Sequence, residues 1–518
     1  MAVRAFPKPD TRCSSPFEPA AIDVEKLGRQ RPAIFTTKVA EYCFCFSLLA
    51  SMFMAVSSFP AQEYFISGFH IILPALTTSL DIPTAARSWP ASVFSLVTGS
   101  FILPCGRLAD IFGARMLFVC GLVWFAIWSL IAGFSQNYIM LIVCRALSGL
   151  GPAAFLPAGI MLLGTVYRPG PRKNLIFSFY GAFAPIGFFT GIFFGGISGE
   201  LLSWGWYFYF GTIFLAIVTV ISVFFVPNDR PDGRETNIKM DWWGLVTIVP
   251  GLLLVVFAIT DCSHADHGWA NPYIIVTFVV GVLCLLAAFY VEGWVADQPL
   301  LPFDIFAPKS IKPLVIGLFF SYGVYGVYLF YASFYIELVL GIGTLQTTAW
   351  FAPMAAGGLI LSTVGGLVMH LLPGKALIVL AAAVQVVCCL LFALMPDHPN
   401  YWAWVFPAMV CATLGVDVTF SVTNVFITTS MPRHRQGLAG ALINTTLFLG
   451  IGFFLGVADL AVSSTERLGR KGSYKVAFWF GVACSSVACF AFLFVKMGRA
   501  KGELTHEERA QLEMEEAG

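Results

Sequence analysis

Two ionisable residues stand well inside apolar stretches, and a third stands near the end of one. Arg145 lies in Arg145-Ala146-Leu147-Ser148-Gly149-Leu150-Gly151, Asp417 lies in the middle of another run, and Glu63 follows Gln62 near the end of the first. An arginine in hydrocarbon costs at least about 2.5 kcal/mol unless it is paired or hydrated, so such a residue is a functional candidate by default. A lone carboxyl in a dry interior holds a proton and releases it when water enters, which suits Asp417 to carry protons and makes Glu63 a second candidate, or a rim residue if the first span ends before it. Read as static core, Asp417 would be a hydrogen-bonded buried acid, and Arg145 would be purely structural. Gln62, Asn424 and Asn444 add neutral hydrogen-bonding groups suited to lining a cavity. Glu337, Asp261, Glu292 and Asp459 fall near the ends of apolar runs and are read as rim charges.

These side chains need elements to hold them, and the composition says what kind. The chain has 518 residues, 58% hydrophobic and 11% charged, against about 25% charged in a soluble protein. That excludes a water-soluble enzyme and a nucleic-acid binder. Thirty Lys and Arg nearly balance 29 Asp and Glu, so no strong field recruits a charged partner. A spanning helix needs about 20 apolar residues. Runs of that kind are read at 40–66, 89–108, 116–134, 139–164, 174–199, 204–226, 241–260, 272–292, 312–337, 345–369, 376–395, 402–428, 436–460 and 474–496. The first continues to Leu76 through Pro60 and Pro74, so it is either broken or long. Most Lys and Arg fall on the side of the N-terminal tail, which places both termini in the cytoplasm. The cluster Arg467, Arg470, Lys471 and Lys475 is an exception on the opposite side.

Other chemistries find no support. His264, Asp266 and His267 share a short loop without a fourth ligand, so no metal site is read there. No phosphate-binding loop is present, which removes ATP as the energy source. No catalytic constellation, nucleophile elbow or zinc-protease motif is found.

The turn after the second run reads Gly106-Arg107-Leu108-Ala109-Asp110-Ile111-Phe112-Gly113-Ala114-Arg115. Two glycines seven apart allow a tight turn between close helices, and Asp110 between Arg107 and Arg115 offers a charge lock at the membrane face. The decad resembles the cytoplasmic loop signature of the major facilitator superfamily, and Arg145 with Gly149 and Gly151 resembles that superfamily's R-x-x-x-G-x-G pattern, whose arginine is implicated in proton coupling. Pro185, Gly187, Gly191 and Gly195 form a four-residue repeat suited to close helix packing. It resembles the antiporter signature of the drug:proton branch with its Gly-Pro order displaced. Gly366 to Lys375, with His370 at the acid position, is a degenerate echo of the loop decad, as a duplicated chain would carry. The stretch from Asp417 to Gly440 is similar to fungal fourteen-span antiporters of the aminotriazole-resistance type.

The resemblance implies an all-α polytopic membrane protein with the major facilitator fold: two six-helix bundles plus two inserted helices, fourteen transmembrane helices in all. The expected divisions are a cytoplasmic tail at 1–39, the first bundle at 40–226, a loop and the inserted pair at 227–311, the second bundle at 312–497 and an acidic tail at 498–518. The implied function is proton-coupled export of small amphipathic compounds by alternating access, driven by a proton gradient without a cofactor. It implies a monomer in the plasma membrane whose partners are the small-molecule substrate and the bilayer, with no nucleic acid. An importer or facilitator of a small polar solute is the alternative, and a membrane sensor or membrane enzyme is a remote one.

Overall fold

The computed structural model describes residues 31–497 apart from 33, 36, 56–63, 84–85, 168–170, 229–238, 263–267, 369–371 and 431–432. Its long elements are all α-helices. The first expected run becomes two, α1 (Lys38–Ala55) and α2 (Tyr64–Ser79), so this run is longer than read and Pro74 sits inside α2. Then follow α3 (Trp89–Phe112), α4 (Ala114–Gly133), α5 (Tyr138–Val166), α6 (Pro171–Glu200) and α7 (Gly205–Phe225). Next come α8 (Trp242–Asp261) and α9 (Pro272–Tyr290), then α10 (Ile311–Phe334), α11 (Thr344–Val368), α12 (Gly374–Ala393), α13 (Phe406–Ser430), α14 (Arg433–Ser463) and α15 (Gly469–Leu493). Each expected run is thus occupied by helix. Among the described residues, 11 helical segments are long and apolar enough to cross a membrane.

Local chemistry sets several boundaries. The Asn137 side chain accepts from the Met140 amide at 2.8 Å to start α5, and Asp241 accepts from Gly244 at 2.8 Å to start α8. Gly113 separates α3 from α4 at φ 94°, a conformation glycine adopts without strain, which explains its place in the loop decad.

The helix pairings repeat. In the first half α3 packs on α5, α5 on α4, α4 on α7 and α2 on α6; in the second, α11 packs on α13, α13 on α12, α12 on α15 and α10 on α14. Advancing each member by eight spans converts one set into the other, as expected of two six-helix bundles built alike. The halves meet through α3 against α14 and α6 against α11, two contacts exchanged by the same operation. Helices α8 and α9 pack on each other where Gly251 faces Leu285 and Gly281 faces Val255. The pair lies beside the α3–α14 seam, with Trp89 and Phe257 rings 5.4 Å apart and Gly456 against Thr260.

Candidate functional site

Arg145 is 1% exposed at the centre of the first half. Its Nε donates to the Pro90 carbonyl at 3.1 Å and its Nη1 to the Phe65 carbonyl at 3.2 Å. The guanidinium lies 4.1 Å from the Phe69 ring centroid and 4.4 Å from that of Phe94. Two carbonyls and two π faces therefore replace a carboxylate, and the planar fork of arginine fits both kinds of partner. The glycines of its motif bring the neighbouring helices in. A Cβ on Gly149 would lie 2.8 Å from the Phe94 carbonyl oxygen, and one on Gly151 would meet Phe125. Thr98 Oγ1 donates to the Gly149 carbonyl at 3.0 Å across that approach.

Asp417 occupies the second half, on α13, and is 6% exposed. Its Oδ2 has no hydrogen-bond partner. One turn away Thr413 Oγ1 donates to the Met354 carbonyl of α11 at 3.1 Å, and Gly415 packs on Gln385 of α12, so the helix around the acid is held tightly. No ion pair joins Asp417 to Arg145. The nearby amides Asn424 and Asn444 each donate to their own helix, to the Phe420 and Gly440 carbonyls at 3.1 Å. Glu63, Gln62 and His370 lie outside the described residues.

The loop decad also reaches beyond its own charges. Asp110 is exposed. Arg107 turns toward the inserted pair, with Nε donating to the Lys239 carbonyl at 3.1 Å and Nη2 to Gln298 Oε1. Arg115 Nη2 donates to the Val223 carbonyl at the end of α7, 2.7 Å away. Gly106 faces Pro157. The arginines thus tie the turn to α7 and to the inserted pair.

In the α6 repeat, Gly191 and Gly195 press on α2: a Cβ on Gly191 would lie 2.7 Å from the Tyr64 carbonyl oxygen, and one on Gly195 2.8 Å from the Gly68 oxygen. Gly187 is buried on the same helix, whereas the side chain of Pro185 lies outside the described set. The contact is within the first half. The next glycine, Gly196, meets Thr348 of α11 across the seam.

Two residues read as rim charges are not at the rim. Glu292 is 7% exposed, accepting from the Leu301 amide at 2.9 Å. Asp459 is also 7% exposed, because the other half covers the end of α14. Ser88, which precedes α3, donates to Asp459 Oδ2 at 2.8 Å, and Tyr331 of α10 donates to Oδ1 at 3.3 Å. Thr348 Oγ1 donates across the same end to the Ile192 carbonyl at 3.2 Å, and the Leu345 amide to Glu200 Oε2 at 2.6 Å. Distance along a helix could not reveal this, since burial comes from a half remote in sequence. Within the basic exception, Lys471 pairs with Asp397, and Lys475 donates to the Met395 carbonyl at 2.6 Å. That pairing holds the Asp397 carboxyl below its ordinary pKa.

His70, on α2, is the residue that reading for charge passed over. It is 4% exposed and its Nδ1 has no hydrogen-bond partner. An ionisable side chain followed by Ile-Ile-Leu was the available signal.

Residues 43–456 match the model of the Major Facilitator Superfamily. The low affinity ammonium transporter of Saccharomyces cerevisiae is 35% identical over 78% of this chain and 79% of its own. The efflux pump terJ of Aspergillus terreus is 32% identical over 85% and 86%, and the aminotriazole resistance protein of S. cerevisiae 30% over 89% and 84%. Among solved structures, a mutant of the nucleoside transporter NupG shares the fold with a TM-score of 0.60 at 12% identity, over 88% of this chain and 100% of that one. On that match and those relatives, the chain is a multi-pass membrane protein belonging to the major facilitator superfamily of transporters.

Proposed function

We propose that this protein is a proton-coupled exporter of small amphipathic organic compounds, working by alternating access. The observation that carries the reading is Asp417, a buried carboxyl with one oxygen unsatisfied, in the half that lacks the arginine. A carboxylate in that position is tolerated when protonated, and it can ionise when the cavity opens to water. Protonation and cargo would then favour different orientations of the halves, which is what couples one to the other. Relatives named as efflux pumps and as aminotriazole or puromycin resistance proteins support export. The distribution of Lys and Arg supports both termini inside, and a plasma-membrane location is the family expectation. In that orientation the Ser88–Asp459 end faces outward and is held shut.

Purified full-length protein in liposomes tests this. An imposed proton gradient should drive accumulation of labelled aminotriazole, and a protonophore should abolish it; accumulation indifferent to the protonophore would remove proton coupling. A relative named as an ammonium transporter supports a second reading, uptake of a small polar solute. Labelled methylammonium entering faster than aminotriazole leaves would favour it.

A further inference from the structure

Helix α2 of the first half touches both α10 and α11 of the second. Its anchoring is asymmetric. Near its start the Tyr64 and Tyr207 rings stack at 4.9 Å, each hydroxyl donating to the other residue's carbonyl, which ties this end to α7. One and a half turns on, His70 meets the opposite half edge-on, its ring 6.1 Å from Phe330 of α10 at 88°. Phe330 in turn stacks on Phe334 at 4.7 Å, so His70 abuts an aromatic wall that belongs to the other half.

Two hydrogen-bonding groups converge at this residue. The imidazole Nδ1 is buried with no partner, and it donates in one tautomer and accepts in the other. Four residues on, Pro74 sits inside α2 and has no amide hydrogen, so it gives no helical bond to the His70 carbonyl. An unsatisfied buried polar group costs about 1–3 kcal/mol in protein, and hydrocarbon supplies no water to relieve it. The charged residue acting on His70 is Arg145, which stacks on the adjacent Phe69, and carbonyls rather than an acid satisfy that cation. The local field is positive and repels a cationic group.

We infer that His70 is a cargo-binding residue, taking a hydrogen bond from an uncharged heteroaromatic compound that bears N–H groups and slides against Phe330. The imidazole recognises the polar edge, and the aromatic wall recognises the ring face. This inference rests on the export reading and narrows it, since a lipophilic cation fits the site poorly.

The test uses full-length protein in liposomes with a proton gradient, and labelled aminotriazole and tetraphenylphosphonium as probes. H70F keeps an aromatic ring but loses the hydrogen bond; H70Q keeps a donor and an acceptor. For aminotriazole the KM of H70F should rise about tenfold with little change in maximal rate, the amount expected for one lost hydrogen bond, while H70Q stays within about threefold. An H70F variant with wild-type KM overturns the inference and leaves the export reading standing. So does equal loss of maximal rate in both variants at unchanged KM, because that pattern marks a packing role. Wild-type protein that carries tetraphenylphosphonium but not aminotriazole overturns the assigned cargo class. Wild-type protein that moves neither probe removes the export reading, and this inference with it.

Discussion

The two halves share their helix pairings but meet the problem of a buried charge in opposite ways. In the first, Arg145 is satisfied on every side, by two carbonyls and two ring faces. In the second, Asp417 has an oxygen with nothing to bond. A satisfied cation is a fixed part of the framework, since moving it would strand four partners at once. An unsatisfied acid has a reason to change state. Duplication thus supplied one scaffold twice, and side-chain chemistry made one copy a brace and the other a candidate carrier.

The comparison breaks first if Arg145 proves dispensable. Arg145→Met removes the hydrogen bonds to the Phe65 and Pro90 carbonyls, and hydrogen bonds to a charged group contribute about 1.5–3 kcal/mol each. A large drop in the melting temperature of purified protein is expected, with transport lost. Arg145→Lys should recover little, because a point charge cannot reproduce the planar stack and fork. Wild-type stability in either variant would contradict the brace.

That arginine was legible in the sequence and its partners were not. An arginine in an apolar run is rare enough to notice, whereas the carbonyls it uses are present on every residue. Helix positions were readable from the length of apolar runs, and Gly113 from the need for a turn. Asp459 was misread because its depth is set by Ser88 and Tyr331 rather than by its own helix. Besides lying beside Asp110, Arg107 answers Lys239 and Gln298, on segments flanking the inserted pair whose docking no local pattern announces.

A smaller effect sharpens the contrast at the seam. Ser88→Ala removes a hydrogen bond worth about 1 kcal/mol between halves that the proposed cycle separates at that end. The expected result is a several-fold gain in labelling of a cysteine placed behind the seam from the Ser88 side, with stability nearly unchanged. Equal labelling would mean that Ser88 and Asp459 do not hold this end closed.

The smallest effect belongs to the exposed pair of Asp397 and Lys471, both in the second half. The folded carboxyl lies below its ordinary value of 3.8 because of the Lys471 hydrogen bond and charge. Its contribution is therefore present above the unfolded value and lost only as pH falls through the lower, folded one. Melting temperatures of wild type and Asp397→Asn should differ slightly and equally at pH 5 and pH 7. A difference that vanishes between those values would contradict the pairing.

The central claim is that Asp417 carries the proton while Arg145 holds the frame, and one measurement addresses it most directly. In liposomes, Asp417→Asn should fold with unchanged or higher melting temperature, because a neutral amide replaces an unsatisfied acid. It should also exchange labelled aminotriazole across the membrane at equilibrium while losing gradient-driven accumulation at least tenfold. Accumulation at the wild-type rate would show that the proton travels elsewhere.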